Sequence, residues 1–504
     1  MKPRADHCIS SGKHPKNNPP TLDGAQYVCV PYDFINMSLS FLRDKVFFRA
    51  MLALALPVAF QQLISAGLNM IDVLMVGQLG ENSVAALGLA NQIFFLLILF
   101  LFGVTSGMSI FTAQFWGRGD TEQIRHVLGI CLTIAVSVAA LFTLAAVFIP
   151  EKLMGFYTED VKVVKLGSDY LRIVGLSYVF TAITVSYGSV LRSITQVTLT
   201  VIVAVLAIVL KTIIAYLFIF GIAGLPALGV RGAALGTCIG WVFQSILLLI
   251  LVYVQKTPLA ANLLSFFRFD RPFLFKMLKT SMPAAINEIL WSFGITTYNA
   301  VYARIGTDAI AAVNINATIE ELMFVLFIGL GNACAVMVGN KIGAGGKDLA
   351  FEYGRRFAIL GVAAALIGGV LVLSIRETVI SLYQISPSAA DDLRSLMFVY
   401  AVSSWLKVFN FMLFIGALRA GGDTRYAMFT ELFSIWMIGV PSALLGGFLF
   451  HLPVYWVYAM VLLEEAAKAI IIFRRFLSRK WIHDLVNVTG DQGRASLSNP
   501  EPAS

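Results

Sequence analysis

From residue 48 to residue 477 the chain is a succession of apolar runs separated by short polar breaks. About 20 apolar residues suffice for a helix to cross a bilayer. Runs of that length lie at 48–79, 84–116, 124–149, 163–190, 197–220, 229–254, 274–303, 308–343, 355–381, 392–417, 427–449 and 453–477. The pattern therefore predicts twelve transmembrane helices and an all-α integral membrane fold. An outer-membrane barrel would instead show ten-residue segments of alternating polarity, and these runs are continuous.

The first and seventh runs are alike. At an offset of 226 residues, 50–119 matches 276–345 without a gap; Pro57 falls on Pro283, Gly80 on Gly306, Gly103 on Gly329, and Gly117 and Gly119 on Gly343 and Gly345. Only 12 of 70 positions are identical, but the proline and glycine landmarks share one register. Farther on, Leu191 and Arg192 match Leu418 and Arg419. Two six-helix lobes follow, and because six is even both enter the membrane from the same side. They should be related by a pseudo-two-fold axis along the membrane normal. The expected division is a polar, disordered tail at 1–44, an N-lobe at 45–254, a cytoplasmic linker at 255–273, a C-lobe at 274–480 and a second disordered tail at 481–504. The first 40 residues hold no apolar core of a secretory signal, and Met37 offers an alternative start.

Composition narrows the class. Of 504 residues 58% are hydrophobic and 13% charged, about half the charge of an average soluble domain, which excludes a soluble enzyme. The net charge of +8 could suggest nucleic acid, but Lys and Arg crowd the connections expected on one side of the membrane by about threefold over the other. That bias explains the charge and predicts both termini in the cytoplasm of a cell-membrane protein. Cys8, Cys29, Cys131, Cys238 and Cys334 show neither CxxC pairs nor metal-ligand spacing, so they read as free thiols.

ALPVAFQQ at 55–62, DVLMVGQLG at 72–80, FGIAGLPALGVRGAALGT at 220–237, GNKIGAGG at 339–346 and LRAGGDTR at 418–425 together resemble the multidrug and toxic compound extrusion (MATE) family, in its bacterial NorM-like or DinF-like branches. The resemblance covers about residues 45–477. It implies a cation-coupled antiporter exporting amphipathic, often cationic organic compounds in exchange for protons or sodium, without a cofactor, as a monomer in the bilayer.

Ionisable groups inside a membrane are costly and mark function. On helix 1, Gln61, Ser65, Asn69 and Asp72 share one face at helical spacing, and such a stripe should face a wet cleft rather than lipid. Desolvation favours the neutral acid, so Asp72 is the leading candidate for a coupling-ion site, against the plainer reading of an interfacial cap. The resemblance places the family's N-lobe acid in the same pattern. On helix 7, Glu288 aligns with Ser292, near Trp291 and Tyr298; it is a second coupling candidate or a structural acid paired with a lysine. The repeat sets Gln62 opposite Glu288 and Tyr298 opposite Asp72, so the acids are not symmetry copies. Helix 8 presents Asn314, Thr318 and Glu321 on one face with Glu320 beside them, and helix 10 aligns Tyr400, Ser404 and Lys407. Lys407 is expected to neutralise Glu288 or Glu321, and Lys211 on helix 5 would, if it reaches Asp72, disfavour an N-lobe sodium site. NorM-like relatives carry an aspartate near Lys407 and commonly an asparagine at Lys211, so both lysines depart from the resemblance. Glu464 and Lys468 sit at i and i+4, a local pair. Arg192 and Arg419 read as membrane-edge anchors or gate residues. Tyr178, Tyr187, Tyr298, Tyr302, Trp291 and Met323 are candidates for an aromatic, deformable pocket in the cleft.

Rival functions fare worse. GxxxxGK[ST] is absent, so ATP does not drive the chain. No histidine lies in a catalytic pattern, and a channel would show filter symmetry. The remaining alternative is a lipid-linked oligosaccharide flippase or specialised metabolite exporter, which would need a wide basic cavity for pyrophosphate.

Overall fold

The computed structural model describes residues 43–222, 224–262, 266 and 270–486. Residues 1–42, with Met37, and 487–504 lie outside the described residues. Contacts divide the chain into Met1–Phe48 and Arg49–Ser504, and the second unit carries the helical bundle.

Among the described residues twelve long helical rods succeed one another, with a short helix, Pro150–Gly155, between the third and the fourth. They are α1 (Lys45–Gly77), α2 (Glu81–Arg118), α3 (Thr121–Phe148), α4 (Val161–Gly175 continued by Tyr178–Ser193), α5 (Val197–Phe220) and α6 (Val230–Val254). The second six are α7 (Arg271–Ile305), α8 (Thr307–Gly343), α9 (Lys347–Ser381), α10 (Pro387–Arg419), α11 (Thr424–Leu449) and α12 (Val454–Val461 continued by Leu463–Leu477). Among the described residues no strand occurs. Nine of these helices are long and apolar enough to cross a membrane, and α4 makes ten if its two segments, bent by 52°, form one span. α7 and α12 miss that criterion for a sequence reason. α7 carries Pro283, Asn287, Glu288, Ser292, Thr296 and Thr297 through its middle, and α12 is interrupted after Val461 and carries Glu464, Glu465 and Lys468.

The repeat is written into the packing. α2 crosses α7 and α8, and the crossings come in pairs related by the 226-residue offset. A methyl group on Gly117 would collide with the Asn340 carbonyl, and one on Gly343 with the Gln114 carbonyl. Adding 226 to the first-half member of each pair gives the second-half member of the other. In the same way Gly103 lies against Ala285, while Gly329 lies against Ala55 and Ala59. Ala113 and Gly339 are repeat counterparts and touch each other, with 2.8 Å between the Ala113 methyl and the place a Cβ on Gly339 would take. A contact between equivalent positions sits on a two-fold axis, so the axis runs between these two residues. Glycine at the crossings lets backbones approach, the usual means of helix association where no hydrophobic drive exists. These crossings close the end of the bundle formed by 103–119 and 329–345.

The tail expected to be disordered from residue 481 is ordered for six more residues. Trp481 is fully buried, stacks on Phe476 at 5.5 Å and donates to the Phe476 carbonyl. Val486 lies in the hydrophobic cluster formed mainly by α2, α3, α4 and α6, beside Phe111, Phe115 and Ile124. The segment thus leaves α12 and seats itself on the first half. Gln114 holds it there, accepting from the Leu485 N–H at 2.9 Å and donating to the His483 carbonyl at 3.1 Å. Arg118 donates to the Val486 carbonyl at 3.1 Å.

Candidate transport site

The polar stripe of α1 faces inward. Gln61, Ser65, Asn69 and Asp72 line a cavity of about 520 Å³ bounded by α1, α2, α4, α5 and α6, together with Asn91, Tyr170, Lys211, Thr237, Trp241 and Gln244. Lys211 Nζ stands 2.7 Å from one Asp72 oxygen, and the Thr212 hydroxyl lies 3.5 Å from the other. Both charged side chains are mostly withdrawn from solvent, at 22% and 17% exposure. At that exposure each charge is partly desolvated, so removing either partner would leave the other poorly compensated.

Lys211 reaches Asp72 because α5 lies close on α6. Gly232, Gly236 and Gly240 recur every four residues on α6, and Cβ atoms on them would stand 2.5 Å from the Phe218 carbonyl carbon, 2.7 Å from the Ala215 methyl and 2.8 Å from Lys211 Cβ. Glycine on one helix face removes the side chains that would hold the neighbour away. The sequence reading missed this spacing, although GAALGTCIG displays it.

The second half is organised around different acids. Lys407 on α10 pairs with Glu320 at 2.8 Å and donates to the Tyr458 hydroxyl at 2.8 Å, while Tyr458 in turn donates to Glu320. Asn316 donates to the same carboxylate at 2.6 Å. The lysine also lies over the Tyr400 and Tyr458 rings, 5.5 and 5.1 Å from their centroids, a favourable place for a cation. The expectation that Lys407 neutralises Glu288 or Glu321 is therefore corrected. Glu321 follows Glu320 by one residue and so projects about 100° away, onto an exposed face with Asn314 and Thr318. Glu288 pairs instead with Arg419 at 2.7 Å, with side chains only 13% and 4% exposed. Arg419 is thus no membrane-edge anchor.

Glu464 and Lys468 do not bond each other. Glu464 accepts from Tyr298, and Gly439 on α11 leaves the room for that contact. Lys468 pairs with Glu431 at 3.0 Å and Glu465 at 3.1 Å, and Asn410 donates to Glu465 at 2.6 Å. Sequence spacing could not show this, since Glu431 and Asn410 come from α11 and α10.

Of the aromatic candidates, Tyr178, Tyr187, Tyr298 and Tyr302 are buried in packed interiors, at 0%, 2%, 4% and 4% exposure. Tyr178 stacks on Phe94, and Tyr187 meets Phe266 edge-on. Met323 is partly buried against the interior cluster of the second half. Trp291 is 38% exposed, and Ser292 is half-buried. Tyr400 and Ser404 are buried, Ser404 donating to the Ala365 carbonyl. Cys131 and Cys334 are buried free thiols, and Cys238 is a partly buried one.

Comparison with known proteins agrees with this architecture. The MatE family model matches twice, over 57–217 and 283–445, two blocks whose starts differ by the repeat offset. An uncharacterized transporter from Bacillus subtilis, YisQ, is 26% identical over 450 residues, covering 87% of this chain and 96% of its own. A probable multidrug resistance protein NorM from Agrobacterium fabrum is 27% identical over 404 residues, covering 79% and 86%. An outward-facing multidrug resistance MATE family transporter of the MOP superfamily superposes with a TM-score of 0.77 at 20% identity, covering 86% of this chain and 96% of that one. The chain belongs to the MatE family of multi-pass membrane transporters, and it is a transporter rather than an enzyme.

Proposed function

We propose that this protein exports amphipathic, often cationic organic compounds across the cell membrane by alternating access, in exchange for a proton, with both termini cytoplasmic. The observation that carries the reading is the Lys211–Asp72 pair inside the first-half cavity. A proton and a lysine compete for the same carboxylate. When Asp72 takes a proton, Lys211 loses its partner, and the cavity gains a positive charge that disfavours a bound cation. When the proton leaves, the pair re-forms. That exchange couples proton and substrate occupancy through one carboxylate, and a ligand shifts a two-state equilibrium only by binding its states differently. A proton needs only one carboxylate oxygen, whereas sodium needs several oxygen ligands at once and would meet an ammonium 2.7 Å from Asp72, the one carboxylate among the described lining residues, so the pair favours protons over sodium.

Several features support alternation. The glycine crossings close one end of the bundle, while the cavity is built from α1 residues 61–76, toward that helix's other end. The two halves are related by a two-fold axis, so equal and opposite tilting of each about a line in the membrane plane would open the closed end while closing the other. A flippase for lipid-linked oligosaccharide is disfavoured because the cavity of about 520 Å³ is small and its lysine is already paired.

The test is uptake of a fluorescent organic cation into inverted vesicles under an imposed pH gradient, compared with an imposed sodium gradient. A pH gradient should drive uptake and Asp72→Asn should abolish it while expression and insertion stay normal. Uptake driven by sodium alone, or undiminished in Asp72→Asn, overturns the coupling.

A further inference from the structure

Between the two halves, just inside the closed end, lies a second cavity of about 130 Å³. Its walls come from α2, α4, α8 and α10, and its lining includes Arg192, Arg419, Ser106, Ser109, Ser193 and Asn332. Two arginines face it and, among the described residues, no carboxylate does.

These arginines occupy matched places in the repeat, since Leu191–Arg192 corresponds to Leu418–Arg419. Both line the same cavity, one from each half. Their acids do not match. Arg419 holds Glu288 through Nη2 at 2.7 Å, whereas the counterpart of Glu288 in the first half is the uncharged Gln62. Symmetry doubles the guanidinium and leaves the Glu288 carboxylate single; Glu431, which also acts on Arg419, is itself paired with Lys468. Arg419 Nη1 is also buried without a hydrogen-bond partner, and a buried donor left unsatisfied is costly.

Arg192 has the wrong direction for an edge anchor. Its Nη1 folds back one turn along α4, 3.3 Å from where a Cβ of Gly188 would stand. A snorkelling side chain would extend toward the membrane surface; this one points into the bundle, over a residue with no side chain to obstruct it. Around it lie the Ser106 hydroxyl and the Asn332 amide, which donates one N–H to the Ile328 carbonyl and keeps its second.

A guanidinium presents paired N–H groups whose planar geometry fits carboxylate and phosphate oxygens. A cavity of about 130 Å³ has room for one such head group. We infer that Arg192 and Arg419 form an oxyanion site at the floor of the cleft, which takes the carboxylate or phosphate group of a transported amphipathic compound. The inference rests on the export reading and extends it: exported compounds include those with an acidic group beside an apolar body. Because both halves supply an arginine, the site exists only while the closed end is shut. An anion bound there holds the halves together.

The experiment uses the full chain purified in detergent free of added lipid, titrated with dansylglycine and with its methyl ester. The acid should bind at least tenfold more tightly than the ester, Arg192→Gln should remove that preference, and Arg192→Lys should keep part of it. Equal affinity for acid and ester, or an undiminished preference in Arg192→Gln, overturns the site. In vesicles, displacement of the acid by phosphatidylglycerol but not by phosphatidylcholine would assign the pocket to a lipid head group and overturn the substrate assignment. Thermal melting of the Arg192 variants separates lost binding from lost folding. Export of a fluorescent cation by the wild-type chain tests the export reading separately, so that its success with equal binding of acid and ester overturns this site alone.

Discussion

Removing Leu485 and everything after it should release the closed end. The ordered segment after α12 belongs by chain connection to the second half but is seated on the first, so it resists separation of the two. Among the contacts that tie the removed residues to the first half are two hydrogen bonds and one fully buried side chain. The Leu485 N–H donates to Gln114 at 2.9 Å, Arg118 donates to the Val486 carbonyl at 3.1 Å, and Val486 is fully buried in the first-half cluster. Lys276 donates to the Leu485 carbonyl at 2.6 Å, but α7 is in the same half as the tail, so that bond anchors the segment without joining the halves. A neutral hydrogen bond contributes about 1 kcal/mol and one to a charged donor about 1.5. Burying a valine contributes about 1.5 kcal/mol, and water solvating the freed groups returns part of the total. About 3 kcal/mol should remain, and since 1.4 kcal/mol is about tenfold, the ratio of closed to open should fall about 100-fold. Spin labels at Glu122→Cys and Lys347→Cys, both exposed beside the closed end, would read the distance by double electron–electron resonance in a background without native cysteines. The truncated chain should gain a long-distance population that the full chain lacks. Identical distributions, with Gln114→Ala also silent, would show that the tail does not restrain the halves.

Three further perturbations test other parts of the argument. Gly240→Val places a side chain where Lys211 Cβ lies 2.8 Å away; it should push α5 off α6 and suppress proton-driven uptake while circular dichroism stays helical, and normal uptake would refute the role of that spacing. Glu320→Gln leaves Lys407 without its carboxylate and should cost about 3 kcal/mol, as removal of one partner of a buried pair does; the double variant with Lys407→Met should recover most of the loss in thermal melting, and no recovery would mean that the pair is not the cause. Asp423, in the connection between α10 and α11, is pushed up by burial but held below the usual carboxylate range overall by hydrogen bonds and charge from His483 and Arg475. The unfolded chain then binds the proton more readily, so stability rises with pH across that interval. The contribution of Asp423 is present at neutral pH and lost as pH falls through its lowered value, below about 4. The gap in melting temperature between wild type and Asp423→Asn should shrink from pH 7 to pH 3, and a constant gap would contradict this sign.

How much the sequence made legible depends on what a one-dimensional pattern can carry. Helix number and repeat were visible because hydrophobic length and glycine landmarks are local, and the register of 226 residues reappears as paired crossings at Gly117 and Gly343. The α1 stripe was visible for the same reason: Gln61, Ser65, Asn69 and Asp72 share a helix face, and a helix face is a local property. Partner choice was not local. Glu320 and Glu321 are adjacent, and which of them turns inward depends on how α8 is rotated against α10 and α12, which no spacing along α8 determines. Likewise Glu464 and Lys468 have ideal local spacing, yet Tyr298, Glu431 and Glu465 outcompete that pairing because burial makes three-dimensional neighbours worth more than an exposed i,i+4 contact. The pairing of Glu288 with Arg419 sharpens the point, since their separation along the chain is 131 residues and their positions obey the repeat only on the arginine's side. A duplicated scaffold fixes where side chains can stand; substitution in one copy decides which charges are left over. The leftover charge at Arg192 is therefore a property of neither half alone, and it becomes visible only when the repeat alignment and the ion pairs are read together.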